Sequence, residues 1–110
     1  MDRRIRKIVQ VIDECWRMPV RVEDLARHVG VGVSRLEHLF KDEARISIRE
    51  FIHERRLREA ARLLVSTEER VSVISFSVGF QHVSNFNHAF KKRYGVSPRQ
   101  YRNACGDGEE

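Results

Sequence analysis

The sequence predicts an all-α protein in which one helical unit is used twice. Three observations lead there. Apolar residues recur at three- and four-residue spacings along most of the chain. Two stretches about fifty residues apart match each other position by position. No segment alternates apolar and polar residues long enough to make a strand.

The first helix follows from Ile5, Ile8, Val9, Ile12, Cys15 and Trp16, one apolar stripe along roughly four turns. Pro19 stops it. Residues 21–30 then read Arg-Val-Glu-Asp-Leu-Ala-Arg-His-Val-Gly, and residues 33–41 read Val-Ser-Arg-Leu-Glu-His-Leu-Phe-Lys. Their counterparts are residues 70–79, Arg-Val-Ser-Val-Ile-Ser-Phe-Ser-Val-Gly, and residues 83–91, Val-Ser-Asn-Phe-Asn-His-Ala-Phe-Lys. The one extra residue of the second copy falls in the turn after its glycine. Between the copies, Ser47-Ile48-Arg49-Glu50 form a capping box that should satisfy two orphan backbone donors. The helix it opens runs through Phe51, Ile52, Leu57, Ala60, Ala61 and Leu64 to about Val65. Ser97-Pro98 start a short last helix carrying Tyr101.

Each copy reads as helix, glycine turn, helix. A small residue (Ala26, Ser75) lets the two helices approach. Four residues later a glycine (Gly30, Gly79) supplies the positive φ that ends the first helix. Large apolar residues on the second helix, Leu36 and Phe40 or Phe86 and Phe90, pack back against it. This is the helix-turn-helix arrangement. The expected organisation is a first subdomain over 1–46, a linker helix over 47–65, a second subdomain over 66–103 and a disordered acidic tail over 104–110.

Charge narrows the function. The 110 residues hold 21 Lys and Arg against 16 Asp and Glu, a net +5, and residues 1–103 alone carry +8. Most of the bases are Arg, whose planar fork suits phosphate and guanine edges, so a polyanionic partner is expected. No apolar run is long enough to span a bilayer, and Asp13 and Glu14 interrupt any signal-peptide pattern, so no membrane partner is expected. Cys15 and Cys105 make neither a disulfide framework nor a metal spacing, which suits a reducing cytoplasm. No catalytic triad, phosphate loop or carboxylate pair is evident. Neither enzyme activity nor a cofactor or metal is expected.

Helical phase turns the polar residues of both second helices outward. Opposite Leu36, Leu39 and Phe40 lie Ser34, His38 and Lys41, flanked by Glu37 and Asp42. Opposite Phe86, Ala89 and Phe90 lie Ser84, His88 and Lys91, flanked by Asn87 and Lys92. These residue types suit a DNA major groove. Ser and His can contact base edges or phosphate, and Lys neutralises phosphate. Asn85 and Asn87 can pair with adenine edges, and Glu37 either accepts from a cytosine amino group or points away. Arg35 and Lys92 complete the candidate contacts on recognition helices spanning about 33–43 and 83–93. A single exposed face of this composition is commonplace; its recurrence in matching units is not. Trp16, with Ile12 and Cys15, reads as core, and His28 and His53 as surface or boundary residues. Arg55, Arg56, Arg58 and Arg62 interleave with Glu54 and Glu59 as a solvated, paired face, with one or two available to the DNA backbone. All Phe residues are placed on apolar faces, which argues against a base-stacking RNA surface.

Val78-Gly79-Phe80, then Phe86, Phe90-Lys91, Tyr94-Gly95-Val96-Ser97-Pro98 and Tyr101-Arg102, closely resemble the signature region of the AraC/XylS family of bacterial transcription regulators. Glu23-Asp24-Leu25-Ala26 through Gly30, Leu36, Leu39-Phe40-Lys41 and Arg56-Leu57 with Ala60 fit as well. The resemblance covers about residues 5–102. It implies a homeodomain-like fold of about seven helices, in which two helix-turn-helix subdomains are bridged by the long helix. It also implies a chain that enters two adjacent major-groove segments on one DNA face, as a monomer unless it belongs to a longer dimeric protein. The implied partner is promoter or operator double-stranded DNA, with RNA polymerase a second candidate and activation the expected mode. By position, base reading would fall on Ser34, Glu37 and His38, and on Ser84, Asn85, Asn87 and His88. The sequence departs from the family where His38 and His88 replace a frequent Arg. DNA affinity is therefore expected to rise as pH falls from about 7.5 to 6. Arg21 and Arg70 stand where a capping Ser or Thr is common, and Gly32 where a Ser is, so the first subdomain is expected to be the looser reader. The alternative class is a helical interaction module that docks on the transcription machinery without reading bases.

Overall fold

The structure, a computed structural model, describes residues 1–107. Among them are seven helices and no strand: α1 (Arg3–Cys15), α2 (Val22–Val29), α3 (Val33–Ala44), α4 (Ile48–Ser66), α5 (Val71–Ser77), α6 (Val83–Tyr94) and α7 (Pro98–Asp107). The chain divides into two compact units, Met1–His53 and Glu54 onward, with the division inside α4. Residues 104–107, grouped with the acidic tail by composition, continue α7. Residues 108–110 of that tail lie outside the described residues.

In the first unit, the α1 stripe of Ile5, Ile8 and Ile12 is buried against Leu25 and Ala26 of α2, Leu36 and Phe40 of α3, and Ile48 and Ile52 of α4. Each such Ile, Leu or Phe contributes roughly 1.5–3 kcal/mol by leaving water. Phe40 meets Phe51 edge to face, with ring centroids 5.5 Å apart. Trp16, expected in the core, is half-buried at its edge, beyond the last residue of α1, with the Arg17 guanidinium over its ring.

The second unit buries Leu57, Ala60, Ala61 and Leu64 of α4, Ile74 and Ser75 of α5, Val78, Phe80, and Phe86 and Phe90 of α6. Phe90 meets Tyr101 edge to face at 5.4 Å. Arg102 donates to the backbone carbonyls of Leu64 (2.8 Å) and Thr67 (3.3 Å), supplying donors where α4 has run out of its own.

The duplication is longer than the matched segments suggest. Phe40 with Phe51 is repeated as Phe90 with Tyr101. Ile5, Ile8 and Ile12 have buried counterparts in Leu57, Ala60 and Leu64. Arg45, in the left-handed region at φ 67°, corresponds to Gly95 at φ 82°. The two capping boxes also correspond but are not equal. Ser97 and Gln100 exchange both bonds, Ser97 N–H to Gln100 Oε1 and Gln100 N–H to Ser97 Oγ. In the Ser47 box only the Glu50 N–H is satisfied. The Glu50 carboxylate takes the Ser47 hydroxyl instead of the Ser47 N–H, so one orphan donor is covered rather than two.

Candidate nucleic-acid interface

The two turns are built alike. Gly30 (φ 75°) follows α2, and the Val31 N–H reaches back to the Ala26 carbonyl at 3.1 Å. Gly79 (φ 105°) follows α5, and the Phe80 N–H reaches the Ser75 carbonyl at 3.1 Å. A six-residue closure of this kind requires the positive φ that glycine adopts without strain. Ala26 and Ser75 are both buried, as a close helix crossing demands. Ser75 differs in one respect: its hydroxyl is buried without a hydrogen-bond partner.

On α3, Leu36 and Phe40 are fully buried, while Ser34, Arg35, Glu37, His38 and Lys41 are exposed. On α6, Phe86 and Phe90 are fully buried, while Ser84, Asn85, Asn87, His88, Lys91 and Lys92 are exposed. Each unit thus presents one continuous polar helix face next to its glycine turn. Arg21 and Arg70 give their helices no side-chain cap, as their sequence positions imply. Capping does not separate the two reading helices, however. The capping residues, Gly32 before α3 and His82 before α6, both give no side-chain hydrogen bond.

The surroundings of the two faces differ. On α3 the His38 imidazole lies 3.5 Å from the Asp42 carboxylate. On α6 the corresponding position is Lys92. Asn87, His88 and Lys91 line an open groove of about 540 Å³ with Val71, Ser97, Pro98 and Arg99. Arg99 is a candidate contact that helical phase alone could not reveal, because α7 meets α6 only in the folded unit. In the first unit a smaller groove of about 250 Å³ runs past Val11, Cys15, Pro19, Arg21, Asp24 and His28, away from the α3 reading face.

Three expectations need correction. Arg56 does not belong to a solvated face: it is half-buried over the Phe80 ring, and burial pushes its guanidinium below the ordinary value. Glu54 pairs with Arg93 of α6 at 2.7 Å rather than with an arginine of the α4 face, and that hydrogen bond raises Arg93. Phe76 is not on an apolar face. It is 53% exposed beside Val73, because the short α5 turns only Ile74, Ser75 and Val78 inward. The Arg62 pairing with Glu59 does follow the expected pattern, at 2.6 Å.

Two helix-turn-helix units, each displaying a polar second helix, define a paired helix-turn-helix protein. Residues 25–104 match the family model described as a helix-turn-helix domain. The chain is 33% identical over 106 residues to the arabinose operon regulatory protein of Escherichia coli strain K12, covering 96% of this chain and 36% of that protein. It thus spans about a third of the length of that curated relative. The C-terminal domain of AraT, a response regulator from Geobacillus stearothermophilus, superposes with a TM-score of 0.87 at 33% identity, covering 94% of this chain and 86% of that one. The DNA-binding domain of AdpA, solved in complex with a target DNA, shares the fold at a TM-score of 0.85 and 21% identity, covering 94% and 93%. The chain belongs to the AraC/XylS family of helix-turn-helix transcription regulators. Among the described residues no helix is long and apolar enough to cross a membrane.

Proposed function

We propose that this chain is a sequence-specific double-stranded DNA-binding transcription regulator that works by binding rather than catalysis. Each recognition helix enters one of two adjacent major-groove segments of a promoter or operator. The observation that carries this reading is the matched exposure of Ser34, His38 and Lys41 on α3 and of Ser84, His88 and Lys91 on α6, each beside a glycine turn. Side chains of these kinds divide into base-edge readers and phosphate neutralisers. Site of action would be the nucleoid.

Fluorescence anisotropy of a labelled duplex recovered from a random-sequence library, titrated against a shuffled duplex of equal composition, tests the reading. Binding should weaken steeply with salt and favour the recovered sequence. Lys41→Ala and Lys91→Ala should weaken both duplexes alike, whereas Asn87→Ala should relax preference at one position. Equal affinity for both duplexes, or no binding at low salt, contradicts it.

The exposed Val73 and Phe76 on α5 favour a second reading, in which this face docks on RNA polymerase or another regulator. That surface lies apart from the polar faces by helix and by chemistry, so Phe76→Ser should leave duplex affinity unchanged while reducing any transcriptional activation.

A further inference from the structure

The two reading faces share Ser, His and Lys but not charge. Within α3 stand two bases, Arg35 and Lys41, against three acids, Glu37, Asp42 and Glu43. Within α6 stand three bases, Lys91, Lys92 and Arg93, and no acid. Pairing widens the contrast. The Asp42 carboxylate lies 3.5 Å from the His38 imidazole, at the position where α6 carries Lys92. Glu43 accepts the Asp2 N–H at 2.6 Å, which leaves Glu37 and Asp42 as the carboxylates of the reading face. On α6, Arg93 is engaged by Glu54, while Lys91 and Lys92 are exposed. The groove beside them adds Arg99 and has no carboxylate in its lining.

From this asymmetry we infer an unequal division of labour between two reading helices: α6 supplies the stronger sequence-independent hold on the phosphates, and α3, through Glu37 and Asp42, the stronger rejection of wrong sequences. Resting on the DNA-reading function above, it assigns Asp42 a role alongside Glu37. A cationic helix is attracted to any duplex, since phosphate contacts carry no sequence information. On the α3 face Glu37 and Asp42 offset Arg35 and Lys41, so this helix gains little from the backbone alone. It stays in the groove only where base edges supply compensating donors, above all a cytosine amino group facing Glu37. Where the carboxylates face guanine N7 and O6 or thymine O4 they meet acceptors, and that repulsion rejects the wrong site.

The test uses the whole 110-residue chain, a duplex recovered from a random-sequence library, and a shuffled duplex of the same composition. Affinity for both is measured across a salt series. Glu37→Ala and Asp42→Ala should each tighten binding to the shuffled duplex several-fold. For Glu37→Ala the ratio of recovered to shuffled affinity should fall on the order of tenfold. Lys91→Ala and Lys92→Ala should weaken both duplexes together and lower the slope of log affinity on log salt by about 0.9 for each phosphate no longer neutralised. Retained duplex binding with an unchanged ratio in both acid variants overturns the division of labour alone, as does a lysine variant that alters the ratio without altering the slope. Failure of the unaltered chain to bind any duplex at about 50 mM salt overturns the DNA reading and this inference with it.

Discussion

Ser75 occupies the place that Ala26 holds in the first unit, and its hydroxyl is fully buried with no partner. A buried unpaired hydroxyl loses its hydration without compensation. Ser75→Ala should therefore stabilise the protein by about 1 kcal/mol, read as a higher midpoint in thermal or urea denaturation; a lower midpoint contradicts the assignment. Arg45 offers a parallel case. It holds φ 67° where the second unit has Gly95, and a side chain in that region is strained by roughly 1 kcal/mol. Arg45→Gly should recover part of that, again as a raised midpoint. At this scale the sequence shows which residues point outward, since helical phase follows from Leu36, Phe40, Phe86 and Phe90. It does not show partners such as Glu54 for Arg93, whose contact spans 39 residues of chain.

Helices and their ends were largely legible, and for local reasons. Pro19, Ser97-Pro98 and the glycines act within a few residues of where they stand. Exceptions arise where a second element intervenes. Arg102, at the end of a motif otherwise read through its aromatic residues, reaches back to the carbonyls of Leu64 and Thr67. Nothing within α7 announces that contact, because its acceptors lie at the C-terminal end of α4. Hydrogen bonds from a charged donor contribute roughly 1.5–3 kcal/mol each when buried and less when partly exposed. Arg102→Ala should destabilise the second unit by about 2 kcal/mol, and Arg102→Lys should restore only part of it, since a single ammonium lacks the fork that spans two carbonyls. Chemical denaturation checks both, and a neutral Arg102→Ala contradicts the clamp. Phe76 shows the opposite limit. Its apolar character suggested a core, but a helix as short as α5 has too few turns to bury both faces.

Within themselves, the two units repeat one plan: a first helix carrying a stripe of buried apolar residues, a helix-turn-helix, and a closing aromatic set edge to face against the second helix of that motif. Identities expose the repeat from Arg21 to Lys41 and from Arg70 to Lys91, where turn chemistry and reading face constrain them. Outside those limits only burial is shared, as between Ile8 and Ala60, and that becomes visible only with the coordinates. Two equal plans with unequal charge let both helices read DNA, α6 with the stronger hold on the backbone and α3 with the sharper rejection of wrong sequences. The most direct measurement is selection of bound duplexes from a random-sequence library. Two related elements about ten base pairs apart, differing where Glu37 in one helix replaces Asn87 in the other, are the predicted result. Enrichment of a single element, or of none, would contradict a chain that reads DNA with both helices.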